Sequence, residues 1–415
     1  MKIFLTFYGG GHVTAAIPMI RALERRGHDV VPLALTTAAP VLRRLGIAHK
    51  MVRDYVDLND PHVKEYGERL AQKHHTDGKG IPLEESIAYL GSSMRDLAAE
   101  IGEAAAWSRY EQLGLNALSP VATARRILER ERPDWVVTTA SPRMESAMLR
   151  AAYRMKIPSV CVIDLFAILE LPWLRRPDNG HLQTVYSQTV VPRLVQAGRA
   201  EQDIFVTGNP AFDALVDPGV REQGLAWRRK HGVADDEKLM LWAEQPEPAD
   251  PELPRRIRRY LAQLCAAHDG WRLVVRLHPS STDPRGEVIP EGALHSPAED
   301  ALPVVAAAAD AVVTLTSTVA MEMLLTGKPA VVLRLSQYDD LVSYDAADGA
   351  LVLNSLDAVQ DGLEQVLNDT ELGRQLAAAR KSLPAPGGAA DRICDILESQ
   401  HAPLLERVRA QRAEI

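Results

Sequence analysis

Residues 7–30, "FYGGGHVTAAIPMIRALERRGHDV", decide how this chain is read. Ile3 to Phe7 form a short apolar run of β-forming residues, as a buried parallel strand requires. Gly9, Gly10 and Gly11 interrupt it with a turn whose backbone can approach another group closely. After His12, the apolar residues Ala16, Ile17, Ile20 and Leu23 recur at helical spacing, with Arg21, Glu24, Arg25 and Arg26 on the opposite face. Gly27 ends the helix and "HDVVPLAL" starts the next strand. The stretch is therefore a β-α-β opening. It is not a dinucleotide fingerprint, because the third glycine of G-x-G-x-x-G is missing, and no Walker lysine follows.

The rest of the chain continues the alternation. Strands are predicted at "DWVVTTA" (134–140), "IPSVCVIDLFA" and "DIFVTGNPAFDAL", separated by helices, with residues 60–130 mainly helical. "KLMLWAEQ" (238–245) restarts the pattern, followed by "WRLVVRLHP" (271–279) and "VVTLTSTVAMEMLLTGKP" (312–329). Alternating strands and helices imply parallel sheet and a doubly wound α/β fold. At 415 residues the chain exceeds one ordinary core. Two Rossmann-like domains facing a cleft are expected, at 1–215 and 216–388. "DPGVREQG" (217–224) is read as the linker, and a terminal helix over 389–415 as packing back toward the first domain.

Composition narrows the function classes. The formal net charge of −8 argues against nucleic acid as a partner. Cys161, Cys265 and Cys394 lie far apart, in no metal-ligand spacing, and read as reduced buried thiols. The amino terminus lacks the continuous apolar core of a signal peptide, and no apolar stretch reaches the roughly 20 residues of a membrane span. A cytoplasmic protein is expected.

Chemistry concentrates at strand ends. In the second domain, Arg276 and His278 share a face at the tip of the strand that ends in "RLHPSS" (276–281), where open parallel sheets bind ligands. Ser317 and Thr318 open a helix, and Glu322 lies one turn into a segment that is otherwise apolar. A carboxylate buried there needs partners, and ribose hydroxyls are suitable ones. Ser317 also reads as a helix cap. Gln245 follows the domain's first strand. In the first domain, His12, Glu145 and Asp164 stand at strand ends as candidate bases. Each also has a structural reading: loop closure, a helix-dipole acid and a turn cap, respectively. Gly10, Gly11 and Arg143 line the same region, with Arg143 a candidate contact for an anionic acceptor. "LELPWLRRP" (169–177) combines apolar residues with Arg175 and Arg176, as a membrane-surface or lipid contact would, or as a loop packed on the domain.

These motifs resemble a family. "GGGHVTAAIPMIRALERRGHDV" is similar to the opening of GT-B glycosyltransferases. "VTGNPAFDAL" (206–215) resembles the domain-junction segment of their relatives, the UDP-N-acetylglucosamine 2-epimerases. "LHPSS" and "TSTVAMEMLLTGKPAVVL" resemble the histidine-proline and serine/threonine motifs of capsule and lipopolysaccharide transferases that use CMP-activated sugars. The second domain has neither the "HCGWNS"-type donor motif of natural-product transferases nor the paired glycines and double glutamate with which epimerases hold UDP. "TSTVAMEML" stands in that place.

The resemblance implies a glycosyltransferase that moves a sugar from a nucleotide-sugar donor to a saccharide or lipid-linked acceptor in bacterial surface-polysaccharide or glycoconjugate synthesis. Arg276, His278, Ser317, Thr318, Glu322 and Gln245 would bind the donor nucleotide. Asp164, His12 or Glu145 would deprotonate the acceptor. No Asp-x-Asp pair sits at a strand end, so neither a metal nor another cofactor beyond the sugar-nucleotide co-substrate is expected. The reading allows a homodimer and peripheral contact with a membrane. The alternatives are a UDP-N-acetylhexosamine 2-epimerase and a non-catalytic sugar-nucleotide-binding protein.

Overall fold

The computed structural model describes the chain apart from residues 165, 279–288, 298, 340–343, 382, 384 and 411–415. It divides into two compact units: Met1–Ala211 together with the chain from Gly388 onward, and Phe212–Gly387.

The first unit is built on six parallel strands: β1 (Lys2–Phe7), β2 (Asp29–Ala34), β3 (Trp135–Thr138), β4 (Ser159–Ile163), β5 (Leu182–Val185) and β6 (Ile204–Val206). Their order is β2-β1-β3-β4-β5-β6. Side chains alternate across a strand, so β1 serves two cores at once. Ile3, Leu5 and Phe7 enter one cluster with Met19, Ile20 and Leu23 of the helix Gly11–Arg25. Phe4 enters the other, with Leu90, Met94, Ile127 and Met148. A strand covered on both faces must be apolar throughout, which is why β1 reads as a continuous run.

The helix Ala389–Ala410 belongs to this unit and packs against Gly11–Arg25. Trp135 Nε1 donates to the Leu397 carbonyl at 3.1 Å. Arg26 pairs with Asp391, Asp395 and Glu398.

The second unit holds β7 (Lys238–Ala243), β8 (Trp271–Arg276), β9 (Leu294–His295), β10 (Ala311–Thr314), β11 (Ala330–Leu333) and β12 (Leu351–Leu353). All are parallel, in the order β12-β11-β10-β7-β8-β9. Met240, Trp242, Leu273, Val275, Val313 and Val331 supply one face of its core.

The stretch "DPGVREQG", expected to be a linker, is instead the start of a helix, Pro218–Lys230. Asp217 caps it, accepting from the Gly219 N–H at 2.8 Å, and Pro218 occupies the first helical position, where its missing N–H costs nothing. Gly224 is a packing residue, not a hinge: a Cβ there would come within 2.9 Å of the Ala307 Cβ. Cys161, Cys265 and Cys394 are buried and free. Among the described residues no helix is long and apolar enough to cross a membrane.

Candidate functional site

In a doubly wound sheet the strand order reverses at one point, and the loops leaving the carboxyl ends there diverge to leave a crevice. In the first unit that point lies between β1 and β3, next to the helices that follow them. The turn after β1 contains the three glycines. Gly9 is required by space, since a Cβ there would overlap Thr37 Oγ1 at 1.9 Å. Gly10 is required by conformation, with φ at 67°. Gly11 begins the helix, and His12 follows.

His12 is held between two strand ends. Its Nε2 meets Ser141 Oγ, beyond β3, at 3.0 Å. Its Nδ1 is buried, makes no hydrogen bond, and lies 3.7 Å from Asp164 Oδ2, just beyond β4. Asp164 is 7% exposed. Burial raises its pKa, and the nearby imidazole opposes that shift. Asn209 Nδ2 donates to the Asp164 carbonyl at 2.9 Å, so "VTGNP" fixes the segment that carries this carboxyl.

Glu145 is placed differently. It is fully buried. Its oxygens accept from Tyr8 N–H at 3.0 Å, Ser141 N–H at 2.9 Å and the Thr139 hydroxyl at 2.8 Å. The carboxyl ties the β1 turn to the β3 turn, and burial raises its pKa. Arg143 sits in the same turn, partly buried, with its guanidinium 5.2 Å from the Tyr8 ring centroid.

Glu170 joins this neighbourhood, and the sequence reading missed it. Burial raises its pKa, as does the charge of Asp164, while His12 lowers it. It lies within "LELPWLRRP", whose mixed apolar and basic character hid it. That segment is anchored to the β3 turn by Trp173 Nε1, which donates to the Ala140 carbonyl at 2.8 Å.

The second unit reverses its order between β7 and β10. Gln245 Oε1 accepts from Thr316 N–H at 2.8 Å across this point. Ser317 Oγ accepts from Val319 N–H at 3.3 Å, and Thr318 occupies the cap position of the helix Val319–Leu325. Glu322 in that helix is 8% exposed. Burial pushes its pKa up to about 7, against the opposing charge of Arg276. Arg276 Nη1 donates to Ser296 Oγ at 2.9 Å and to the carbonyls of Pro297 and Asp300 at 3.2 and 2.9 Å. His278 is exposed beyond β8, and Ser280 and Ser281 lie outside the described residues. A buried contact that sequence reasoning did not find supports this end of β7. Glu244 Oε2 accepts from Trp242 Nε1 at 2.8 Å and stands 3.5 Å from Arg258 Nε. Among the described residues no cluster of three or more His, Cys, Asp or Glu converges as a metal site would.

Two Rossmann-like units of this kind are the GT-B fold, shared by sugar-nucleotide epimerases and glycosyltransferases. The sequence model of the UDP-N-acetylglucosamine 2-epimerase family matches residues 178–398, over half of the chain. The chain belongs to that family.

Solved structures show the same fold across nearly the full length. The Neisseria meningitidis UDP-GlcNAc 2-epimerase, bound to UDP-GlcNAc, is 15% identical, with a TM-score of 0.62 over 96% of this chain and 100% of that one. A Methanocaldococcus jannaschii UDP-GlcNAc 2-epimerase in complex with UDP-GlcNAc and UDP is 16% identical, with a TM-score of 0.57 over 96% and 100%. A calicheamicin glycosyltransferase is 16% identical, with a TM-score of 0.53 over 96% and 98%. No curated protein sequence matches the chain.

Proposed function

We propose that the protein interconverts a UDP-N-acetylhexosamine with its C2 epimer by eliminating and re-adding the nucleotide. Family membership supports this reading, and the approach of His12 to the buried Asp164 carries it. Epimerisation at C2 needs one group to take the C2 proton as the C1–O bond to UDP breaks. A second group must return a proton to the other face as that bond re-forms. The two must differ in protonation state at the same pH, which requires unequal environments. Asp164 is almost fully buried, Glu170 is less so, and His12 lies between a hydroxyl and a carboxyl. Glu145 is a positioning residue: its oxygens are occupied by the two turns that present His12 and Ser141.

In the second unit, Glu322 accepts hydrogen bonds from the ribose hydroxyls. Ser317, Thr318, the Gln245 amide, Arg276 and His278 surround the phosphate and base. The deciding experiment is proton NMR of the purified enzyme with UDP-N-acetylglucosamine in D2O and no acceptor. Appearance of the C2 epimer with deuterium at C2 supports the reading. An unchanged donor overturns it.

Glycosyl transfer to an acceptor is a second reading, favoured by "TSTVAMEML" standing where epimerases carry paired glycines and a double glutamate. It predicts release of free nucleotide only when an acceptor is supplied.

A further inference from the structure

The turns after β1 and β3 have nearly the same backbone geometry but use different residues. Each starts its helix from a residue with positive φ: Gly10 at φ 67°, ψ −136°, and Arg143 at φ 65°, ψ −116°. Glycine adopts this conformation freely, whereas a residue with a Cβ is strained in it. A glycine would satisfy the β3 turn as it satisfies the β1 turn, so the arginine is explained by its side chain and not by its backbone.

Among the described residues that side chain touches no carboxylate, although the charge of buried Glu145 favours its cationic form. The guanidinium stacks on Tyr8, whose hydroxyl is 2.6 Å from that of Tyr89. Among the described residues it makes no hydrogen bond and no ion pair. Glu145, the carboxyl nearest in sequence, is occupied by Tyr8, Ser141 and Thr139. His74 and Tyr89, from two neighbouring helices, feel the charge of Arg143 but supply no negative group. A guanidinium carries five N–H donors in a planar fork that matches a carboxylate or phosphate, and withdrawing it from water without an acceptor is unfavourable.

We propose that Arg143 recognises an anionic group, a carboxylate or a phosphate monoester, on the sugar that reacts beside His12. The location rests on the acid–base reading of His12 and Asp164, since Ser141, two residues away, touches His12. The anion chemistry rests on Arg143 itself. The charged group belongs either to the glycosyl unit of the sugar nucleotide or to a separate acidic sugar.

Ligand-observed NMR on the full chain with saturating UDP tests the proposal without requiring turnover. The probes are D-glucuronate, D-glucose 6-phosphate and D-glucose. A parallel titration without UDP compares UDP-N-acetylglucosaminuronate with UDP-N-acetylglucosamine. In the wild type at least one acidic ligand binds about tenfold or more tightly than its neutral counterpart, and R143Q loses that preference. R143G, which relieves the backbone strain, loses the preference too while melting no lower than the wild type. A preference seen with the UDP sugars places the anion on the glycosyl unit. A preference confined to the free sugars places it on a second sugar. Equal binding of acidic and neutral ligands by the wild type overturns the proposal, as does retention of the preference by R143G. Failure to epimerise UDP-N-acetylglucosamine would overturn the function proposed above and leave this binding result standing.

Discussion

His12 and Asp164 reach each other from two strand ends, with Nδ1 3.7 Å from Oδ2, while Ser141 holds the other ring nitrogen at 3.0 Å. The imidazole is thereby oriented from one side and charge-coupled on the other, as an acid–base pair requires. H12A and D164N are each expected to lower turnover by about 10²–10⁴-fold. Their apo melting temperatures should stay close to the wild type, since D164N removes a carboxyl that burial already disfavours in its charged form. Steady-state kinetics and differential scanning fluorimetry check both halves. Near-normal turnover in both variants would remove the pair from the mechanism.

Glu145 predicts the opposite pattern. E145A strands the Tyr8 and Ser141 N–H groups in a buried site, each at a cost of about 1–3 kcal/mol. Urea unfolding should therefore show a loss of several kcal/mol, with activity falling as a consequence. A fully stable but inactive E145A would make Glu145 the base after all.

Glu322 links pH to both stability and ligand binding. Its pKa rises from 4.5 to about 7 on folding, so the folded state holds the proton more tightly. This contribution to stability is present in full below pH 4.5 and is lost as pH rises through 7. It amounts to on the order of 3 kcal/mol. E322Q, which cannot ionise, should gain about that much relative to the wild type between pH 4 and pH 8 in urea unfolding. UDP affinity in the wild type should rise as pH passes 7, because the carboxylate is the better acceptor for ribose hydroxyls. E322Q should bind UDP about tenfold or more weakly at pH 8, without that rise, by isothermal titration.

The glycine turn separates two physical causes. G9A places a methyl against Thr37 and should cost about 2–3 kcal/mol. G10A meets open space and strains only φ, for about 1–2 kcal/mol. Equal costs in chemical denaturation would contradict this assignment.

Much of this molecule was legible in the chain itself. The apolar runs of β1, β3, β4, β7, β8 and β10 and the helical stripes between them are local patterns. They suffice for two doubly wound parallel sheets and for placing His12, Asp164, Gln245, Arg276 and Ser317 at strand ends. Local cues misled at "DPGVREQG", where two glycines and a proline suggested a linker. The same residues cap and pack a helix against Leu302–Ala308.

What the sequence determined by itself was which segments are strands and which residues stand at their tips, because hydrophobic periodicity is read within a few neighbours. Only the tertiary structure decided that β3 lies beside β1 and β4 beside β3, since sheet order depends on packing between segments far apart in the chain. That order brings Ser141 and Asp164 to His12 and ties up Glu145. It also draws Glu170 toward the group and leaves Arg143, at positive φ and stacked on Tyr8, without an ion pair among the described residues.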